Sequence, residues 1–167
     1  MLQAVVTLVL FALFLPLSIY FIANSMLRFF GGVPFITFFG KPFGYLLVFS
    51  VVVILTLFGI GKLMKSKVTF TGVVAKFGSF TVIPMLLSLA CFLFSVVRAY
   101  EPALFLLLLS VLTWLVAATY TIYSFASEEK RGLDPLHGAI LFFIVISLLF
   151  MAISDELGRS LTGLLYF

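Results

Sequence analysis

The chain has 167 residues, of which 64% are hydrophobic and 10% charged, and its mean hydropathy is +1.34. Soluble domains are about half apolar and a quarter charged, so this composition excludes a water-soluble globular protein and predicts helices in a lipid bilayer. The net charge of +4 does not indicate a nucleic-acid partner, because the cations lie in short segments between apolar runs, where anionic lipid headgroups account for them.

Five apolar runs are long enough to cross about 30 Å of hydrocarbon as α-helices. They cover residues 4–24, 44–61, 72–97, 102–125 and 136–154. The alternation typical of a β-barrel strand is absent, so we predict an all-α polytopic bundle with five transmembrane helices in one domain, residues 1–167. The first run has no basic residue ahead of it and is too long for a signal peptide, so we expect no cleavage.

The segment between the first two runs, residues 25–43, combines helix breakers with aromatic residues. The breakers are Gly31, Gly32, Pro34, Gly40 and Pro42. They argue against a continuous helix, whereas six phenylalanines make the segment too apolar for a loop in water. We expect either an interfacial segment, with Arg28 and Lys41 reaching for lipid phosphates, or a re-entrant hairpin.

The later runs carry signals for helix starts and breaks. Asp134 and Glu101 each stand directly before a proline, the arrangement of a helix N-cap followed by proline at the first helical position. Pro16 and Pro84 lie inside runs, where proline cannot donate a backbone hydrogen bond, so we expect kinks there.

The cations predict how the bundle is oriented. With five spans, the side that holds the N-terminus carries six cations: Lys62, Lys65, Lys67, Lys76, Lys130 and Arg131. The opposite side carries four: Arg28, Lys41, Arg98 and Arg159. Because cationic loops stay in the cytoplasm, we expect a cytoplasmic N-terminus and a C-terminus outside. We interpret seven of these cations as candidate contacts to anionic headgroups: Arg28, Lys41, Lys62, Lys65, Lys67, Lys76 and Arg98.

The sequence shows no pattern of catalytic or metal-binding residues. Cys91 is the only cysteine and cannot form an internal disulfide, and His137 has no second metal ligand at a suitable spacing. Asp155 and Glu156 are adjacent and diverge on a helix, so they do not form an acid–base pair. We therefore expect no enzymatic activity and no cofactor.

Small and weakly polar residues recur on one helical face of the third and fourth runs, at steps of three and four. In the third run they are Thr81, Pro84, Ser88, Cys91, Ser95 and Arg98; in the fourth they are Ser110, Thr113, Ala117, Tyr120 and Ser124. Small residues let membrane helices approach closely, and the short connection makes the two runs antiparallel neighbours. Two interpretations stay open: a helix-packing face, or a solute or lipid path lined by hydroxyls.

The stretch FTGVVAKFGSFTVIPMLLSLA, with Gly78 and Pro84, follows a cationic turn. It resembles the part of Yip1-domain proteins in which a basic turn precedes a helix with a Gly-to-Pro stretch. The exit TYTIYSFASEEKRGLDPLHGAIL resembles the connection within that family's final helical pair, and the resemblance covers about residues 44–154. It implies a non-enzymatic helical membrane protein of the bacterial Yip1-like type. The acidic-Gly-Pro motif of eukaryotic members is not seen, so their trafficking and GTPase roles are not carried over.

These observations predict a non-catalytic membrane-organising or partner-binding subunit of a bacterial cytoplasmic membrane. The alternative is a transport component, either the substrate-binding subunit of a small-molecule importer or a lipid carrier. The expected partners are the bilayer with its anionic headgroups, and a membrane-protein partner or a second copy of the chain.

Overall fold

The computed structural model describes residues 1–27, 31–126 and 132–165, with residues 152–165 as backbone. Its helices are Leu2–Met26 (α1), Lys41–Leu63 (α2), Phe70–Phe80 (α3), Val82–Val96 (α4), Tyr100–Tyr123 (α5) and Pro135–Leu165 (α6), with a π-helical turn over Ile36–Gly40. The structure is 85% helix and has no strand among the residues it describes. The prediction of an all-α fold is confirmed.

Three helical segments are long and apolar enough to cross a membrane: Leu2–Met26, Ile36–Leu63 and Tyr100–Tyr123. A fourth candidate is α3 together with α4, which meet at a bend of 46°. The part of α6 whose side chains are described, Pro135–Met151, is a shorter apolar helix. The described residues therefore hold three or four candidate spans, and the number five stays a prediction.

The connection between α1 and α2 is shorter than expected. The chain turns at Gly31 and Gly32, whose φ angles of +97° and +79° lie where residues with a Cβ are strained. The Asn24 side-chain oxygen accepts a hydrogen bond from the Val33 N–H at 3.3 Å and holds this turn against the end of α1. Arg28 lies outside the described residues.

Residues 36–43 are the first turns of the second long helix. A proline at position 42 would clash with the carbonyl four residues earlier in a regular α-helix. The π-helical turn, in which the Lys41 N–H donates to the Ile36 carbonyl five residues earlier, widens the backbone just ahead of Pro42. The expectation that these glycine and proline residues interrupt the helix is therefore wrong for residues 36–43, whereas an interfacial position of this segment stays a prediction.

The third span is broken three residues before Pro84. Proline cannot donate to the carbonyl four residues earlier, here that of Phe80, and its ring crowds that carbonyl, so α3 ends at Phe80. Thr81 occupies the bend, fully buried, and its hydroxyl donates to the Phe77 carbonyl at 2.7 Å. The kink predicted at Pro84 is confirmed, whereas α1 continues as one helix through Pro16.

One of the two predicted helix caps is present. The Asp134 carboxylate accepts a hydrogen bond from the Leu136 N–H at 2.8 Å, and α6 begins at the intervening proline, as expected. α5 instead begins at Tyr100 with Ala99 at the N-cap position, so the cap predicted at Glu101 is wrong. Glu101 still lies in the first turn, where the helix dipole favours an acid.

Helix α1 contacts α2, α3, α4 and α5. It runs parallel to α3 and α4, because Ala4 lies against Gly78 near one end and Ile22 clusters with Cys91 towards the other. The Leu133 N–H donates to the carbonyl at the end of α2. The ends of α2 and α5 and the starts of α1, α3 and α6 therefore lie together, at what we call the lysine end.

The outer faces of the helices are apolar and exposed. Val48, Phe105 and Val116 expose 64%, 65% and 63% of their surface. Trp114 in the interior is 4% exposed and contacts aromatic rings of three other helices. Exposed apolar surface on this scale is costly in water and is covered at no such cost by lipid hydrocarbon.

Candidate functional site

The small-residue face predicted for α4 is buried in the structure. Thr81, Ser88, Cys91 and Ser95 are each at most 1% exposed, and Pro84 is also fully buried. We call these five residues the α4 seam. They face α1 on one side and α5 on the other, since these two helices are the main neighbours of α4.

The predicted residues of α5 reach the seam in part. Ser110 and Ala117 are buried and Thr113 is partly buried, whereas Tyr120 is 61% exposed and points away from the interior. Arg98, at the end of the α4 pattern, is exposed. The heptad-like spacing therefore identified the inner face of α4, but only two of the seven buried residues of α5, Ser110 and Ala117.

Hydrogen bonds join the α4 seam to α5. The Ser110 hydroxyl of α5 donates to the Pro84 carbonyl at 2.9 Å, and the Cys91 thiol donates to the Ala103 carbonyl at 3.1 Å. Ile22 of α1 clusters with Cys91 and with Ala103 of α5. Cys91 therefore lies where three helices meet.

The other hydroxyls at this interface donate within their own helices. Ser88 donates to the Met85 carbonyl at 2.8 Å and Ser95 to the Cys91 carbonyl at 2.7 Å. Thr113 donates to carbonyls of the preceding turn. Each of these hydroxyl protons is thus already bound by a backbone carbonyl, and the small side chains fill the helix contact.

Sequence reasoning missed the α1 side of this interface. Ala4, Thr7, Phe11 and Ser18 are all buried and recur at steps of three, four and seven. The same heptad spacing that drew attention to α4 is thus present in α1, where the long unbroken apolar run concealed it.

The indole N–H of Trp114 is the buried side-chain donor without a hydrogen-bond partner in the described part of the chain. Its ring lies 6.0 Å from that of Phe11 and 5.6 Å from those of Phe49 and Phe77, measured between centroids. Burying an unpaired N–H has a free-energy cost, which two stacked ring contacts and one edge-to-face contact partly offset.

A cationic cavity of about 320 Å³ opens at the lysine end. It is lined by Lys65, Ser66, Lys67, Val68, Thr69, Gly72, Lys76 and Phe125. We call it the lysine cavity. Of the eight lining residues in the described part of the chain, three are lysines and none is acidic, so the cavity concentrates positive charge.

The cavity owes its shape to the way α2 ends. Lys65 adopts a left-handed conformation with φ +54°, its N–H donates to the Lys62 carbonyl at 3.0 Å, and the Ser66 N–H donates to the Gly61 carbonyl at 3.2 Å. This is a Schellman motif, in which the left-handed position is usually glycine. The motif reverses the chain sharply, so Lys65 and Lys67 lie beside the start of α3.

The start of α3 forms another wall of the cavity. Thr69 is the N-cap residue, and its hydroxyl accepts a hydrogen bond from the Gly72 N–H at 3.2 Å. The N-terminal turn of a helix carries partial positive charge from its unpaired N–H groups. That charge adds to the field of the lysines.

Lys76 differs from the other two lysines because protein groups hold it. Its ammonium group donates to the Ser124 carbonyl at 3.0 Å and lies 5.2 Å from the centroid of the Phe125 ring. Ser124 follows the last turn of α5, where the helix dipole favours a cation. Lys76 therefore joins α3 to α5 as well as lining the cavity.

The remaining predicted headgroup contacts lie elsewhere. Lys62 is at the lysine end but outside the cavity lining, with its ammonium 5.3 Å from the Phe58 ring centroid. Lys41 and Arg98 are exposed at the opposite end of the bundle. Lys130 and Arg131 lie outside the described residues. The side chains of Asp155, Glu156 and Arg159 also lie outside them.

The fold and its sites define an all-helical bundle with apolar helices of membrane-spanning length and a cationic cavity at one end. In comparisons with protein-family models, with curated proteins and with solved structures, nothing matches the chain. The resemblance to Yip1-domain proteins therefore stays a prediction.

Proposed function

We propose that this protein is a five-span, non-catalytic membrane protein that organises the membrane or binds a partner subunit. The full length of α6, Pro135–Leu165, supports the fifth span, because a helix of that length extends about 46 Å and exceeds the thickness of the hydrocarbon layer. The alternation of helix directions in the bundle fits the same topology.

The observation that carries this proposal is the closed α4 seam. Its side chains are buried, and the hydroxyls of Ser88, Ser95 and Ser110 already donate to backbone carbonyls. A solute path needs polar groups that can exchange protein contacts for solute contacts. A filled, hydrogen-bonded interface favours a structural role for this face.

The grouping of lysines supports the orientation within the proposal. Lys62, Lys65, Lys67 and Lys76 lie at one end of the bundle, with the N-terminus of α1. Cationic segments are retained in the cytoplasm, so this end is proposed as the cytoplasmic one, in a bacterial cell membrane.

A transport component is the second candidate, favoured by two specific features. The α3–α4 span is broken at Thr81, and transporters use broken helices at substrate sites. The Trp114 indole N–H lies unpaired beside Phe77, one turn before that break. A substrate acceptor group that reached this N–H would give the break a function.

Native mass spectrometry of protein extracted in a mild detergent separates the two candidates. The proposal predicts a stable complex with a second copy or with another membrane protein, and no bound small solute. Co-purification of an ATPase or coupling subunit, together with a small solute, would establish transport instead. A monomer without any companion would overturn the proposed role.

A further inference from the structure

We propose that the lysine cavity is a specific binding site for a phosphate group, carried by an anionic lipid headgroup or by a small soluble phosphate. The inference rests on the proposed function in one respect, since that function places the lysine end at the membrane surface. The chemistry itself follows from the cavity.

The charge of the lining selects an anion. Lys65, Lys67 and Lys76 supply three ammonium groups around one cavity, and the lining residues that the structure describes include no carboxylate. Within the described residues, the ammonium groups of Lys65 and Lys67 have no hydrogen bond, ion pair or ring contact, in contrast to that of Lys76. Two lysines are thus available to a ligand, while the third is fixed in the wall.

The polar neighbours and the size of the cavity favour phosphate. Ser66 and Thr69 add hydroxyl groups, and the start of α3 adds its partial positive charge, which stabilises phosphate at helix N-termini. A volume of about 320 Å³ holds roughly ten water molecules at ~30 Å³ each, enough for a phosphate and a glycerol-sized substituent.

The apolar part of the lining suits the less polar side of such a ligand. Val68 is buried and Phe125 is 2% exposed, and both border the cavity between the lysines and the bundle core. A glycerol phosphate can place its phosphate at the lysines and its carbon chain against these side chains. The cavity therefore has a cationic side that suits the phosphate and an apolar side that suits the carbon chain of a lipid headgroup.

The test uses the full-length protein in nanodiscs and compares matched lysine variants. Three proteins are compared: wild type, the double variant Lys65→Gln/Lys67→Gln and the control Lys62→Gln. Each is released into the mass spectrometer from phosphatidylglycerol nanodiscs and from phosphatidylcholine nanodiscs. Lys62 is the control because it lies at the same end with the same charge but outside the cavity. Thermal melting of each variant checks that it is folded.

We expect wild type to retain phosphatidylglycerol and to release phosphatidylcholine. At about 1 kcal/mol per lysine, the double variant loses affinity by roughly 30-fold, and Lys62→Gln changes it by less than about threefold. The variant Lys65→Gly, which keeps the left-handed turn, loses about fivefold.

A second arm identifies the source of the phosphate. Inorganic phosphate and glycerol 3-phosphate are titrated by calorimetry into protein in phosphatidylcholine nanodiscs. Saturable binding that the double variant lacks assigns the site to a soluble phosphate, and retention of phosphatidylglycerol alone assigns it to a lipid.

Equal losses in Lys62→Gln and the double variant, or binding of neither phosphate, would overturn the proposal. Either outcome leaves untouched the companion proteins and the bundle topology, so failure of this site is distinguishable from failure of the proposed function.

Discussion

At the scale of single residues, the closest helix contact lies between Gly78 of α3 and Ala4 of α1. A Cβ built on Gly78 would lie 2.7 Å from both the Cα and the carbonyl oxygen of Ala4, and it would also collide with the Ala4 side chain. Two backbones meet here, so relief requires moving a helix. We predict that Gly78→Ala destabilises the bundle by roughly 1–3 kcal/mol through overpacking.

The control for this prediction is Gly59, an exposed glycine inside α2 with no atom within 4 Å of an added Cβ. Gly59→Ala should leave stability unchanged or raise it by up to about 1 kcal/mol, because alanine is the better helix former. Thermal unfolding in detergent, followed by circular dichroism, measures both. Equal effects of the two substitutions would show that close approach is not what position 78 requires.

The sequence predicted that cations lie at the helix ends, but it did not predict their backbone conformation. The sequence placed Lys65 and Arg98 at helix ends, but their left-handed conformations, φ +54° and +62°, end α2 and α4 in positions where glycine is expected. Backbone strain at a residue with a Cβ, about 1 kcal/mol or more, leaves no mark in the sequence. The cavity that Lys65 lines was therefore not predictable.

At the scale of elements, Pro84 is responsible for dividing one span into α3 and α4. Pro84→Ala restores an N–H that can donate to the Phe80 carbonyl, so we predict a nearly straight helix over residues 70–96. Straightening a bend of 46° lengthens the distance between its ends by about 3 Å. Double electron–electron resonance measures this distance between spin labels at the exposed positions Thr71 and Val97, in a Cys91→Ser background.

Pro16→Ala is the matched control, because it also removes a buried proline but leaves the α3–α4 span unaltered. The label distance should stay at the wild-type value in this variant. An unchanged distance in Pro84→Ala would mean that contacts with α1 and α5, and not the proline, impose the bend.

The α4 seam gives the second prediction at this scale. Ser88 is 1% exposed, so Ser88→Leu forces three additional carbon atoms into a filled contact and should destabilise the bundle by about 1–3 kcal/mol. Ser88→Ala removes only the hydrogen bond to Met85 and should cost about 1 kcal/mol or less. Thermal unfolding and gel filtration in detergent report both effects.

Ser147→Leu provides the comparison, since Ser147 is exposed on the outer face of α6 and the change should shift stability by less than about 0.5 kcal/mol. If Ser88→Leu folds with wild-type stability, the seam has room for a larger group. That result would favour the solute-path interpretation over a closed packing face.

Helix positions were predictable where hydropathy decides and not where backbone geometry does. The bounds of α1, α2 and α5 lie within a few residues of the apolar runs, because a bilayer requires long, self-bonded helices. The rule that glycine and proline end a helix failed at Gly40 and Pro42, since a π-helical turn absorbs them. The turn depends on the local backbone geometry of residues 36–41, and residue composition does not predict that geometry.

At the scale of the whole molecule, composition predicted the long apolar helices and their apolar outer faces, and spacing predicted the α4–α5 pairing. The inner face of α1 was missed, because its heptad spacing of small residues lies within a long apolar run that is nearly uniform in hydropathy. The direction of each helix does follow from the contacts, with the starts of α1, α3 and α6 gathered at the lysine end. Whether α6 crosses the bilayer decides the number of spans.

We predict that α6 crosses, so the two chain termini lie on opposite sides of the membrane. A helix that starts at the lysine end and extends about 46 Å emerges at the far side if it follows the bundle axis. Single cysteines at Lys67 and Val97, labelled with an impermeant maleimide, report the two ends independently, because native Cys91 is 1% exposed and should not react. Lys67→Cys should react only in inverted vesicles, whereas Val97→Cys and a cysteine after residue 167 should react only in right-side-out vesicles. If the last of these reacts from the same side as Lys67→Cys, α6 lies along the surface, the protein has four spans, and the resemblance to five-span Yip1-domain proteins loses its topological basis.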